Sequence, residues 1–143
     1  GVGLEYIERP WTRNIKLGGP PASDTESPAG VVGGFRERLE VGLPGAAVEA
    51  GEAGWQKVLN RNGYQKESRV GYSSGVNYPP DWGGRTASLR PGDKTVLQSG
   101  MCFHFQSGVW LESIGAAVSE PFVVTENGGE RLSDVHRELI VID

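Results

Sequence analysis

Few side chains in this sequence can carry chemistry, and most of them fall in short stretches. Met101-Cys102-Phe103-His104-Phe105-Gln106 contains one of the two histidines and the single cysteine. Alternation along this run puts Met101, Phe103 and Phe105 on one side of a strand and Cys102, His104 and Gln106 on the other. A histidine on such a face can donate, accept or pass on a proton near neutral pH, or it can simply be hydrogen-bonded at a sheet surface. His136 follows a turn and reads as exposed. No base is patterned beside Cys102 to make it a nucleophile, so it reads as a small buried apolar residue. Pro79-Pro80-Asp81-Trp82-Gly83-Gly84 must be an irregular loop. There Asp81 and Trp82 either line a pocket or close the loop, the indole packing on a sheet and the carboxylate taking backbone donors. The glycines of Val31-Val32-Gly33-Gly34 have no preceding strand and no phosphate-loop lysine, so they are not read as a phosphate cradle.

The elements that position these residues follow from periodicity. Trp11, Arg13, Ile15 and Leu17 alternate with polar residues and predict a short strand over 11–17. Ser23, Asp24 and Ser27 offer helix caps, and Val32, Phe35 and Leu39 share a face of a helix expected over about 26–41. Leu43-Pro44-Gly45 ends it. A second helix is expected over about 46–62, with Ala47, Gly51, Trp55, Val58 and Leu59 as its buried face and Asn62-Gly63 as its stop. The short break makes the two helices an antiparallel pair. The rest reads as β: an extended segment over 68–78, a turn at Arg90-Pro91-Gly92-Asp93, the strand over 101–106, a hairpin around Asn127-Gly128-Gly129 and a closing strand over 139–142. Helices followed by antiparallel strands give an α+β fold.

Composition limits what such a domain can do. With 37% hydrophobic residues among 143, the chain can bury one core. The net charge is −4 and no lysine or arginine run exists, which argues against nucleic acid as a partner. No apolar stretch approaches the roughly 20 residues needed to span a bilayer. One cysteine allows no internal disulfide, in keeping with a cytoplasmic location. The first residue is Gly1, with neither a Met nor a signal-peptide pattern, which leads us to expect that the chain is part of something longer.

Four segments, in this order, carry a family resemblance: GYQKESRVGYSSGVNYPPDWGG (63–84), SLRPGDKTVLQSGMCFHFQSGVWL (88–111), VSEPFVVTENGGERL (118–132) and VHRELIVID (135–143). They resemble the creatinases and Xaa-Pro peptidases, above all the ectoine-hydrolase-like branch. The resemblance implies the C-terminal half of a "pita-bread" domain: two antiparallel helices packed on a curved, mainly antiparallel sheet. The domain's N-terminal half and the usual accessory domain would then be absent.

In metal-dependent members of that family, two Asp, one His and two Glu hold a pair of divalent ions (Mn, Co or Zn). By the resemblance these positions fall here on Pro10 (the second aspartate), Tyr72 (the histidine), Gln106 (the first glutamate) and Ser119 (the second), with Glu120 one residue beyond. No complete ligand set is implied, so we expect no metal cofactor in this chain. Creatinase-like members use a histidine acid–base catalyst, which also maps to Tyr72, and the ectoine-hydrolase-like branch shares the tyrosine. The expected catalytic residues are therefore Tyr72, His104 and Glu120, with Asp81, Trp82 and Gln106 contacting substrate. The function implied is hydrolysis of a C–N bond in a small amide, amidine or X-Pro peptide, by an incomplete member inactive on its own. The alternative is a non-catalytic binding or dimerisation module derived from the same fold. A small-molecule or dipeptide substrate and a homo-oligomeric state are the partners to expect.

Overall fold

The computed structural model describes residues 2–4, 7–9, 12, 15–17, 42–66, 68–75, 85–110, 115–135 and 140–142. Strands β1 (Val2–Leu4) and β2 (Ile7–Arg9) form an antiparallel pair. Strand β3 (Ile15–Leu17) pairs in parallel with the last strand, β8 (Ile140–Ile142). Between them come helix α1 (Val48–Arg61) and a four-stranded antiparallel sheet of β4 (Gly71–Ser73), β5 (Cys102–Trp110), β6 (Gly115–Thr125) and β7 (Gly128–Arg131), in that order. The α+β class, the second helix, the hairpin and the closing strand thus agree with the sequence expectations. The helix expected over 26–41, with Val32, Phe35 and Leu39, lies outside the described residues. So do Pro10, the PPDW loop with Asp81 and Trp82, and His136.

The helix owes its start to its neighbours and its end to its own sequence. Ala47 occupies the N-cap and makes no side-chain cap. Instead the loop 93–95 accepts the first-turn donors, Val48 N–H to the Thr95 carbonyl (2.9 Å) and Glu49 N–H to that of Asp93 (3.3 Å). At the other end Gly63 takes φ +76°, the left-handed conformation that glycine adopts freely, and the Asn62 side chain donates to the Val58 carbonyl at 2.8 Å. The buried stripe is Val48, Gly51, Glu52, Trp55 and Leu59. It is turned slightly from the expected face: Ala47 and Val58 are only half-buried, and Glu52 lies inside, where burial raises its carboxyl above the ordinary value. Gly54 points the opposite way, with nothing within 4 Å of a built Cβ. Gly54→Ala is therefore expected to stabilise the chain by up to about 1 kcal/mol, read from the shift in its urea unfolding midpoint. An unchanged or lower midpoint contradicts this reading of the helix.

Strand β5 runs four residues past the expected end at Gln106, because β6 pairs with it along its whole length. Ser107 lies just past the expected strand, and its Oγ donates to the Val118 carbonyl at 2.9 Å and seals the extension. Gly108 and Gly115 leave room for the Trp110 ring, whose nearest atom would sit 2.3 Å from a Cβ at Gly108. Pro121 is tolerated inside β6 for a directional reason. Its carbonyl accepts from Leu132 N–H, so the N–H it lacks would point to that same edge, away from the ladder with β5. The core lies between one side of this sheet and α1: Trp55, Leu59, Val70, Leu89, Leu97, Phe103, Phe105, Val109, Phe122 and Val124 are all buried. Both phenylalanines face it as alternation predicts.

Candidate functional site

The strand register gathers four polar side chains on the side of the sheet away from the phenylalanines. Tyr72 pairs with His104 across β4 and β5, and Gln106 pairs with Ser119 across β5 and β6. Paired residues in an antiparallel ladder point to the same face. Thr12 covers the far edge, its carbonyl accepting from Ser119 N–H at 3.1 Å. On the near edge, Tyr72 bridges to Ser88.

Gly71 lets β4 come this close. A Cβ there would lie 2.5 Å from the His104 carbonyl oxygen and 2.6 Å from Leu89 Cδ1. The Tyr72 and His104 rings meet edge to face, with centroids 5.0 Å apart and planes at 76°. The Arg69 guanidinium sits over the Tyr72 ring, 4.5 Å from its centroid, and donates one long contact of 3.4 Å to Ser88 Oγ.

His104 is not at a surface: it is 4% exposed. Among the described residues, neither ring nitrogen has a hydrogen-bond partner. Burial pushes the imidazole down to about 4, the Arg69 charge adding to the effect and the Glu120 charge opposing it. The ring is neutral at pH 7, with one nitrogen able to donate and the other to accept.

Glu120 departs from the expected grouping. The register pairs it with Phe105 and places Ser119 on the His104 side. Glu120 is buried, and its Oε1 accepts from Ser133 Oγ at 2.5 Å. A single residue of offset decides this, since successive side chains of a strand face opposite ways. The structure therefore brings together Tyr72, His104, Gln106 and Ser119 and leaves Glu120 behind the sheet. Arg69 and Ser88 were not anticipated. Neither has a spacing signal, and both reach the site only through tertiary contact.

The donor set does not suit a pair of divalent ions. A phenol, a carboxamide and a hydroxyl stand where the resemblance places a histidine and two carboxylates, and neutral groups give dications little compensating charge. Among the described residues no three of His, Cys, Asp and Glu lie together. What the cluster offers instead is a buried neutral imidazole beside a phenol and an amide, able to hold or move one proton.

This geometry sits in a segment with clear relatives. An uncharacterised hydrolase/peptidase of Sinorhizobium fredii is 40% identical over the whole chain, which covers 36% of that protein. The ectoine hydrolase of Halomonas elongata is 38% identical over 142 residues, 99% of this chain and 35% of the enzyme. The chain belongs to the creatinase and Xaa-Pro peptidase superfamily. It spans little more than a third of the length of these relatives and corresponds to the C-terminal half of the pita-bread domain. The crystal structure of a dipeptidase from Pyrococcus horikoshii superposes with a TM-score of 0.81 at 24% identity, covering 94% of this chain and 37% of that one, a likeness of fold. A scan against protein-family models finds no match.

Proposed function

We propose that this chain supplies one wall of a hydrolase site that cleaves a C–N bond in a small amide, amidine or X-Pro peptide, without metal ligands of its own. The supporting observation is the single face shared by Tyr72, His104, Gln106 and Ser119, with a buried neutral imidazole among them. His104 would take a proton from the water that attacks the scissile carbon and pass it to the departing amine, and Tyr72 and Gln106 would donate or accept hydrogen bonds to the scissile group. Asp81 and Trp82 stay as proposed substrate contacts on the PPDW loop. Glu120, bound to Ser133 on the other side, is assigned to holding the sheet in register. The chain alone is proposed to be inactive, its site completed by the other half of the domain, with association into a homo-oligomer as the working state and the cytoplasm as its place. No described helix is long and apolar enough to cross a membrane.

The test exchanges the matching 142-residue segment of Halomonas elongata ectoine hydrolase for this chain. The folded chimera is expected to hydrolyse ectoine measurably, with no loss after treatment with a chelator. His104→Asn in the chimera should lower kcat by about a hundredfold, within the range for loss of a general acid–base. A folded chimera with no turnover, or one that needs added manganese, overturns the reading.

A further inference from the structure

Two of the turns that depend on glycine place an asparagine directly before it: Asn62-Gly63 at the end of α1 and Asn127-Gly128 at the tip of the β6–β7 hairpin. Asparagine before glycine is open to a reaction that needs no enzyme. The glycine amide nitrogen reaches the side-chain carbonyl carbon, because no Cβ on the glycine stands in the way. The two sites have the same chemistry, and the structure holds them differently. At the helix end the reacting groups are engaged. The Asn62 side-chain amide donates to the Val58 carbonyl at 2.8 Å, and Gly63 N–H donates to that of Asn60 at 3.1 Å. Asn62 N–H and Tyr64 N–H both donate to the Leu59 carbonyl, at 2.9 and 3.0 Å. Reaction there requires the last turn of α1 to unwind. At the hairpin tip, Glu126 and Asn127 form a two-residue turn closed by the Thr125–Gly128 pair. Asn127 is exposed, and its backbone N–H makes one long contact of 3.3 Å to Thr125 Oγ1. Its side-chain amide has no partner among the described residues. Strand β7 is four residues long and ends its sheet, so the tip opens locally while the longer strands stay paired.

We propose that Asn127 is a site of spontaneous deamidation to aspartate and isoaspartate, and that Asn62 is spared. The Gly128 amide nitrogen gives up its proton and bonds to Asn127 Cγ, and the side-chain nitrogen takes a proton and leaves as ammonia. Water then opens the cyclic imide at either of its carbonyls, giving aspartate or isoaspartate. Each product adds a negative charge to a turn flanked by Glu126 and Glu130. Isoaspartate also inserts a methylene into the main chain of the turn. The hairpin has little room for it on the Gly42 side: a Cβ at Gly42 would lie 2.7 Å from both Gly129 Cα and Gly129 N. The lengthened turn therefore loosens β7 against the segment that leads into α1. This modification is independent of the hydrolase reading.

The experiment ages the chain in mildly alkaline buffer and follows its peptides by mass spectrometry, with electron-transfer fragmentation to tell isoaspartate from aspartate. Asn127 is expected to convert at least about tenfold faster than Asn62, as when reaction waits on the opening of hydrogen bonds. In concentrated urea the two rates should converge, because both sites are then an asparagine before glycine in an open chain. The isoaspartate form, isolated from the aged chain, should unfold at a lower urea concentration than the Asn127→Asp variant, which gains the charge without the methylene. Equal or inverted rates in buffer, a difference that persists undiminished in urea, or an isoaspartate form that unfolds no earlier than Asn127→Asp overturns the proposal.

Discussion

Trp55→Ala is expected to lower stability by about 3–5 kcal/mol, the range for deleting a fully buried tryptophan. Trp55 is completely buried, and its ring meets Phe105 edge to face with centroids 6.3 Å apart. It ties the described helix to the strand that carries His104. Small domains are stable by roughly 5–15 kcal/mol, so the loss would leave the variant largely unfolded near physiological temperature. The indole cannot be replaced by collapse, because glycine occupies the preceding turn at Gly51 and has no side chain to move in. Trp110→Ala is the control. That ring is 59% exposed, and its loss should cost within about 1 kcal/mol. Urea unfolding followed by far-ultraviolet circular dichroism measures both. Equal losses for Trp55 and Trp110 would show that the helix does not anchor the sheet.

The second large effect is acid destabilisation through His104. Its folded-state value of about 4 lies below the ordinary 6.5, because burial disfavours the charged ring. An unfolded chain therefore takes up the proton first as pH falls. The stability of the neutral buried form is fully present above about pH 6.5 and is lost progressively toward pH 4. Between about pH 7.5 and pH 5 the loss should come to about 2 kcal/mol. His104→Gln should remove that part of the pH dependence. Glu52 works the other way, its raised carboxyl favouring the folded state on protonation, so the difference between wild type and variant, not the raw curve, is the quantity to read. A wild-type curve as flat as that of the variant would mean that His104 is solvated in the folded chain.

Acid sensitivity and the proposed chemistry have one physical origin. A fully paired imidazole at this position would be more stable and less available. Burial without a partner among the described residues keeps the ring neutral, and the cost is stability that acid can reveal.

Much of this was legible in the sequence. The alternation over Met101–Gln106 separated Phe103 and Phe105 from His104 and Gln106, and the strand keeps that division. Asn62-Gly63 stopped the helix, and Asn127-Gly128 turned the hairpin, because each depends on a conformation glycine reaches cheaply within a few residues. Four sequence segments between Gly63 and Asp143, by their succession, carried the family resemblance, which the relatives support. The tertiary structure decided whatever depended on a partner strand. Ser107 and Gly108 are poor strand residues alone, and only pairing with β6 carries β5 on to Trp110. Whether Ser119 or Glu120 faces His104 is a matter of one residue of register, and a strand's period of two makes that offset a change of face. The burial of His104, against an expectation of a surface position, follows from Gly71 admitting β4 to within touching distance and from Tyr72 closing over the ring. Local pattern records which way a side chain points along its own strand; what lies on that side is set by chain dozens of residues away.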